Sequence, residues 1–256
     1  MSIIENHTVL KPPKENYTLW RYMDIPSFLS LLAESALVFV RADLFEDKYE
    51  GHFTKPTAKL IDEFASSIKL NNDRNKSFSQ HLRDMFNNVY LNCWCIGQHE
   101  VIHMWKIYSK VNGIAIKTNY SSLKQSITDN QHHDVLPGII QYVDRENDFV
   151  DYESNTLQPY TIKGQEYKYE NEFRLIISGL WEIEQEVGHI KNVDERNKAR
   201  IERYQKIPVI KLKVNLSEII KDIYISPYAP VWYKDFIEDI LPRYGIIDPK
   251  ITQSNL

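Results

Sequence analysis

The sequence predicts an α+β fold, a mixed or largely antiparallel central sheet with helices packed on it. Three observations carry that expectation. Short apolar runs rich in β-branched and aromatic residues recur from Leu19 to Val214. Helical periodicities lie between them without a regular strand–helix–strand rhythm, which argues against a doubly wound parallel sheet. No repeat is visible, and 256 residues suit one large core, so 1–256 is read as a single domain.

In order along the chain, residues 1–16 are polar, contain Pro12-Pro13 and read as an N-terminal arm. Leu19 to Tyr22 is a short aromatic strand. Asp24-Ile25-Pro26 is a helix start, since proline is tolerated in the first turn, and Phe28, Leu29, Leu31 and Leu32 form the apolar side of that helix. Ala36 to Val40 is a buried strand. A helical excursion over 56–88 holds two amphipathic stretches. Leu60, Ile61, Phe64 and Ile68 mark the first; Phe78, Leu82, Met85, Phe86 and Val89 mark the second, with a polar loop at Asn71–Lys76 between them. Strands are expected at Val89–Ile96, Gly113–Thr118 and Gly138–Val143, with a short helix around His103–Ser109.

Tyr167 to Ile177 alternates as a strand. Tyr167, Tyr169, Phe173, Leu175 and Ile177 point one way, and Lys168, Glu170, Glu172 and Arg174 the other. The segment 180–206 is dense in both charge signs and reads as a solvated helical excursion. Ile210, Leu212 and Val214 form a half-buried strand. A last helix over Val231–Tyr244 ends at Gly245.

Composition excludes several classes. With 43% hydrophobic and 26% charged residues and only 8 Gly and 11 Pro, the chain is neither fibrous nor disordered. A formal charge of −4, from 31 basic and 35 acidic residues, gives no global drive toward polyanions or anionic membranes. No apolar stretch approaches the ~20 residues of a membrane-spanning helix. The Met1–Thr8 stretch lacks the pattern of a signal peptide, so a cytoplasmic setting without a membrane partner is expected. Cys93 and Cys95 flank Trp94 and read as small buried side chains on one strand face. The pair is too close for an unstrained disulfide and too few for a structural zinc site. His132 and His133 lie in a polar loop without metal-binding spacing, so no metal is expected.

Four places could carry chemistry. Glu170 and Glu172, at i and i+2 on one strand face about 7 Å apart, stand in line with Lys168 and Arg174. They form either a water-facing row or a prepared polar site. Arg21, between Trp20 and Tyr22, either pairs with a core acid or holds a phosphate, ribose or carboxylate. Asp43, Glu46, Asp47 and Glu50 either ligate a hard cation or make a charged turn. Trp105 and Tyr108 share a helix face, as core or as a stack for a planar ring.

Taken in order, these residues resemble a known family. Leu19 to Tyr22, the helix and strand after it, and Phe45, Asp47, Tyr49, Glu50 and Gly51 resemble the opening of the bacterial domain-of-unknown-function family 2971. Met104, Trp105, Tyr108 and Gly113 resemble its central block, and Lys163, Tyr167, Glu170, Glu172 and Arg174 its late block. Ile223 to Pro227 and Ser254 resemble its closing segment. The chain departs from the family in having Glu46-Asp47-Lys48 in place of Asn-Asp-Pro, and Cys95 in place of serine.

More distantly, an early strand arginine, a central aromatic block and a late Glu-x-Glu resemble the ADP-ribosyltransferase superfamily. That resemblance implies an enzyme using NAD, of the kind found among bacterial toxins and phage-defence effectors. Glu172 would be the catalytic carboxylate and Glu170 would orient the attacking group. Arg21, Tyr22, Trp105, Tyr108 and Arg174 would bind the nucleotide. The acceptor, protein or nucleic acid, is left open. Two other readings stand beside it. One is a metal-dependent nuclease using Asp47, Glu50, Glu170 and Glu172 with Lys168 nearby. The other is a non-catalytic sensor binding a nucleotide or acidic partner through Arg21 and Arg174.

Overall fold

The computed structural model describes residues 3–5, 10–69, 77–85, 88–109, 111–128, 134–151, 155–247 and 249–256. The loop expected at 71–76, Phe86, and the His132-His133 pair lie outside the described residues.

The opening unit is β1 (Thr18–Met23), α1 (Ile25–Glu34) and β2 (Ala36–Arg41). The Asp24 carboxylate caps α1 by accepting from the Ser27 N–H at 2.9 Å, which satisfies one donor the first turn leaves free. Ser35, at φ 46°, ends the helix and reverses the chain. Next come α2 (Lys55–Ser67), α3 (Phe78–Met85) and β3 (Val89–Ile96). A single turn α4 (Ile102–Met104) continues as a π-helical turn over Trp105–Ser109. Then follow β4 (Ile114–Asn119), α5 (Tyr120–Ser126), β5 (Val135–Ile139), β6 (Gln141–Val143) and β7 (Ile162–Gly164). A 3₁₀ turn at Gln165–Glu170 leads into β8 (Glu172–Ser178). The chain ends with α6 (Trp181–Gly188), α7 (Val193–Gln205), β9 (Val209–Lys213), α8 (Leu216–Ile219), β10 (Asp222–Ile225), α9 (Tyr233–Ile240) and β11 (Lys250–Gln253). Gly245, at φ 74°, closes the last helical segment as the sequence expects. Among the described residues no helix is long and apolar enough to cross a membrane.

The fold is α+β around a mixed, mostly antiparallel sheet. Its strands run β11-β10-β4-β1-β3-β2-β9, with β8 and then β5 added on the other side of β3. The pair β10–β11 is parallel, and β6–β7 form a separate parallel ribbon. The sheet forks at β3. β1 pairs with it only at Cys95 and Ile96, and β2 only at Tyr90 and Leu91. Side chains fill the opening: Asn92 Nδ2 donates to the Val38 carbonyl at 2.8 Å, and Arg21 Nη1 to the Cys93 carbonyl at 3.0 Å.

Strand alternation sorts the two faces. Leu19, Trp94, Phe173, Leu175 and Ile177 join the main core with Phe28 and Leu32 of α1 and Leu123 of α5. On the opposite face the register aligns Trp20, Cys95 and Glu172, with Cys93 beside Arg174 one step on. Trp105 and Met104 cover one end of that face, Leu157 and Tyr160 the other.

Several sequence expectations change. The strand expected over Tyr167–Ile177 is a 3₁₀ turn joined to a shorter strand; of the two alternatives for its charged row, Glu170, Glu172 and Arg174 take the buried one, while Lys168 is exposed. The junction is Asn171, at φ 42°, whose Nδ2 donates to the Ile96 carbonyl at 2.7 Å. Asparagine tolerates this left-handed backbone better than most residues, and a β-branched residue does not. Asn171→Val is expected to lower the unfolding free energy by about 1–3 kcal/mol in urea denaturation, with Asn171→Gly losing less. Equal stabilities of the two variants would reject that account of the junction.

The strand expected over Gly138–Val143 is split into β5 and β6, because the Ile140 N–H turns to the Glu172 carbonyl at 2.9 Å. The described part of the arm runs beside β5. Ile4 N–H donates to the Val135 carbonyl, Ile139 N–H to the Lys11 carbonyl, and Leu10 is buried. The excursion at 180–206 forms helices whose undersides enter the core through Ile183, Val187 and Tyr204. In α2 the expected apolar stripe faces outward, with Leu60, Phe64 and Ile68 all exposed. That helix docks by its polar side: Thr57 Oγ1 donates to the Val150 carbonyl, and the Asp62 carboxylate accepts from the Ser79 N–H and hydroxyl.

Candidate functional site

A buried chain of charges lies under the second face of the sheet. Arg174 on β8 is fully buried, so its guanidinium needs partners for all of its N–H donors. It has them. Nε donates to Glu172 Oε1 (2.6 Å), Nη1 to Glu50 Oε1 (2.6 Å) and the Tyr160 carbonyl (2.9 Å), and Nη2 to Glu50 Oε2 (2.9 Å) and Glu172 Oε2 (3.1 Å). Lys163, on the short buried strand β7, extends the chain. Its Nζ donates to Glu172 Oε2 at 3.2 Å and Glu170 Oε2 at 2.5 Å, and lies 4.6 Å from the Tyr167 ring centroid. Tyr108, on the π-helical turn, closes the run by donating to Glu170 Oε1 at 3.1 Å. The turn at Asn171 brings Glu170 and Glu172 onto one ammonium, although they belong to different elements.

These surroundings drive the two carboxyls apart. Burial alone would raise Glu172, but Arg174 and Lys163 outweigh it and hold the group at about 2. For Glu170 burial outweighs the pull of Lys163, and the carboxyl is raised. Burial likewise raises Glu50 against Arg174. Two adjacent carboxyls of unequal acidity are the usual basis for dividing a charge-stabilising role from a proton-transfer role. The thiols do not share this behaviour. Burial, with Glu170 and Glu172 adding to it, pushes Cys95 up to about 12, and Cys93 also lies well above the usual thiol value. Neither is a thiolate nucleophile at neutral pH.

Acceptor capacity separates the carboxylates further. Glu172 receives two Arg174 donors and Lys163, which fills about three of its roughly four lone-pair positions. Glu170 receives Lys163 and Tyr108 and keeps about two. Glu170 is the carboxylate with more room for a further hydrogen bond.

Above this floor is a cleft of about 580 Å³, inside the size range of small-molecule sites. Tyr22, Tyr108, Tyr167 and Tyr169 give it aromatic walls, and the segment Leu44–Asp47 forms another side. Arg21 lines it at the fork of the sheet. Beyond its bond to the Cys93 carbonyl and its position 5.6 Å from the Trp94 ring centroid, it has no carboxylate partner among the described residues. Burial presses its pKa below the ordinary guanidinium value. A half-buried guanidinium without a counter-ion is suited to an anionic ligand group.

Of the residues singled out from sequence, Arg21, Tyr22, Tyr108, Glu170 and Glu172 line this one cleft. Arg21 and Glu172 belong to β1 and β8, with β3 between them rather than on adjacent strands. Trp105 and Arg174 do not line it. Trp105 is completely buried, donates to Glu100 Oε2 at 3.0 Å and packs edge-on against Tyr22, so it is a core residue. Arg174 serves the carboxylates from beneath. Sequence reasoning assigned no role in the site to Lys163; a lone lysine between Ile162 and Gly164 was the available signal. For Glu50 the sequence offers a hard-cation ligand or a member of a charged turn, not a partner of Arg174. Among the described residues no group of three His, Cys, Asp or Glu is placed to hold a metal ion. Glu50, Glu170 and Glu172 instead converge on the protein's own cations. No protein-family model matches the chain, and neither a curated protein nor a solved structure matches it.

Proposed function

We propose that the chain is an ADP-ribosyltransferase-like enzyme that binds NAD in this cleft and cleaves its nicotinamide–ribose bond. The observation that carries the reading is the pair of carboxyls of opposite acidity at the floor of an aromatic-lined cleft that also holds an uncompensated guanidinium. Arg21 suits a phosphate or ribose of the dinucleotide. Tyr108 and Tyr169, both partly exposed, offer ring faces to the nicotinamide in place of Trp105.

The bond between ribose C1′ and the pyridine nitrogen breaks, and its electron pair leaves with neutral nicotinamide. The sugar passes through an oxocarbenium-like state, which a fixed negative charge stabilises. Glu172, locked in its ionised form, supplies that charge from behind. Glu170, in its ionised form, makes the direct contact: it accepts the proton of the attacking water or acceptor group as the new bond to C1′ forms. The direct contact thus moves from Glu172 to Glu170, because Glu172 is the more fully bonded of the two, with three donors against two.

One observation favours a second reading, a nucleotide-binding sensor: the carboxylates are tied into ion pairs, as a non-catalytic cleft would have them. Incubating the purified protein with NAD and following free nicotinamide by chromatography separates the two. Release above the spontaneous rate is expected. Saturable NAD binding without release would favour the sensor, and the absence of both would reject a dinucleotide site.

A further inference from the structure

Glu50 lies outside the cleft, yet both of its carboxylate oxygens are bonded to Arg174. Its side chain is almost fully buried and meets Arg174 fork to fork, at 2.6 and 2.9 Å. It follows by three residues the Leu44–Asp47 segment that forms one side of the cleft. The intervening turn is tightly held. Tyr49 N–H donates to Asp47 Oδ1 at 2.9 Å, and Glu50 N–H to the Asp47 carbonyl at 3.0 Å. Gly51 then turns at φ 71° so close to Tyr160 that a Cβ would stand 2.5 Å from Cε1 of that ring. Tyr160 in turn gives its carbonyl to Arg174. The cleft wall and the charged floor therefore share one anchor.

We infer that Glu50 is a positioning residue: through Arg174 it sets the charge balance of Glu172 and Glu170, and through its turn it holds the Leu44–Asp47 wall over them. The charge count makes the first part specific. Three carboxylates and two cations form the buried run Glu50–Arg174–Glu172–Lys163–Glu170, one negative charge in excess when all are ionised. The groups around Glu170 are Lys163 from β7, Glu172 from β8, Cys95 from β3, Tyr142 from β6, Tyr108 from the π-helical turn, and Tyr167 and Tyr169 of its own turn. None of them relieves the excess except Lys163, which Glu172 shares. Neutralising Glu50 removes the excess charge and eases ionisation of Glu170.

The test is Glu50→Gln beside Glu50→Asp, which keeps the charge on a shorter arm. It rests on the NAD-cleaving reading for its kinetic arm only. In Glu50→Gln the acidic limb of the pH–rate profile for nicotinamide release should move to lower pH by on the order of one unit, the scale of removing one negative charge from a partly buried network. The kcat should fall roughly 10- to 100-fold as the wall loses its anchor. Glu50→Asp should lose rate but keep the limb in place. A residue that merely supports the fold would lower the melting temperature and leave the limb where it is. The second arm needs no turnover: carboxyl-carbon NMR titration of Glu170, assigned by its loss in Glu170→Gln, should show the same downward shift. If the unsubstituted protein releases no nicotinamide but Glu170 shifts, the NAD reading fails and the role of Glu50 stands. An unmoved Glu170, or a Glu50→Gln protein that does not fold, would overturn the inference.

Discussion

Glu170→Gln is expected to cut nicotinamide release from NAD by at least ~100-fold while leaving a folded protein. The amide keeps the size of the side chain and can still accept from Tyr108, but it cannot carry a proton away from the attacking group. Lys163 retains Glu172 as its counter-ion, so no buried cation is orphaned. Burial already favours the neutral form of Glu170, which makes a neutral replacement tolerable. The melting temperature should accordingly move by no more than about 4 °C, the scale of a loss near 1 kcal/mol in a chain of this size. Full turnover in the folded variant would remove Glu170 from the reaction. A variant that fails to fold would assign it to the core.

The largest effect on stability is expected from Arg174→Leu. Leucine fits an apolar interior, but the change leaves the Glu50 and Glu172 carboxylates buried without the guanidinium that donates four hydrogen bonds to them. Breaking a buried ion pair on one side costs about 3–5 kcal/mol, or roughly 6–20 °C in melting temperature. Lysine is a poor substitute, because a single ammonium cannot reproduce two forked contacts.

The pH dependence gives the effect a signature. In the unsubstituted protein Glu172 is held at about 2 when folded, against 4.5 for an unperturbed group. The unfolded chain then binds the proton first, so this contribution is present above 4.5 and lost as pH falls toward 2. In Arg174→Leu the orphaned carboxyls are raised instead, the folded chain binds protons first, and the variant regains stability as pH falls. Thermal melts at pH 7 and pH 4 should therefore show a smaller gap between the two proteins at the lower value. A gap that widens on acidification would mean that the network is not what Arg174 supports.

Much of this frame was legible in order. The Asp24-Ile25-Pro26 start, the buried run Ala36–Val40, the strand Val89–Ile96 and the stop at Gly245 each rest on local chemistry: a cap, β-branched side chains, a left-handed turn. Where distant contacts decide, local pattern misleads. The alternation from Tyr167 to Ile177 fits a strand in every residue, yet Asn171 breaks it by bonding to the end of β3, 75 positions away in sequence. The outward stripe of α2 has the periodicity of a buried face, but hydrogen bonds from Thr57 and Asp62 dock the other side.

The site divides along the same line. Sequence by itself determined the residue types and their order: an early arginine among aromatics, a central tyrosine and a late pair of glutamates. It also determined that the chain is rich enough in apolar residues to bury charge. Only the tertiary structure decided which carboxylate is the more fully bonded, that Arg174 and Trp105 lie outside the cleft wall, and that Lys163 and Glu50 belong to the same network. The physical reason is that a carboxyl's acidity and its spare lone pairs are set by neighbours within a few ångströms in space. Those neighbours come from β3, β7, β8 and the turn at Glu50, segments whose meeting no spacing along the chain can encode.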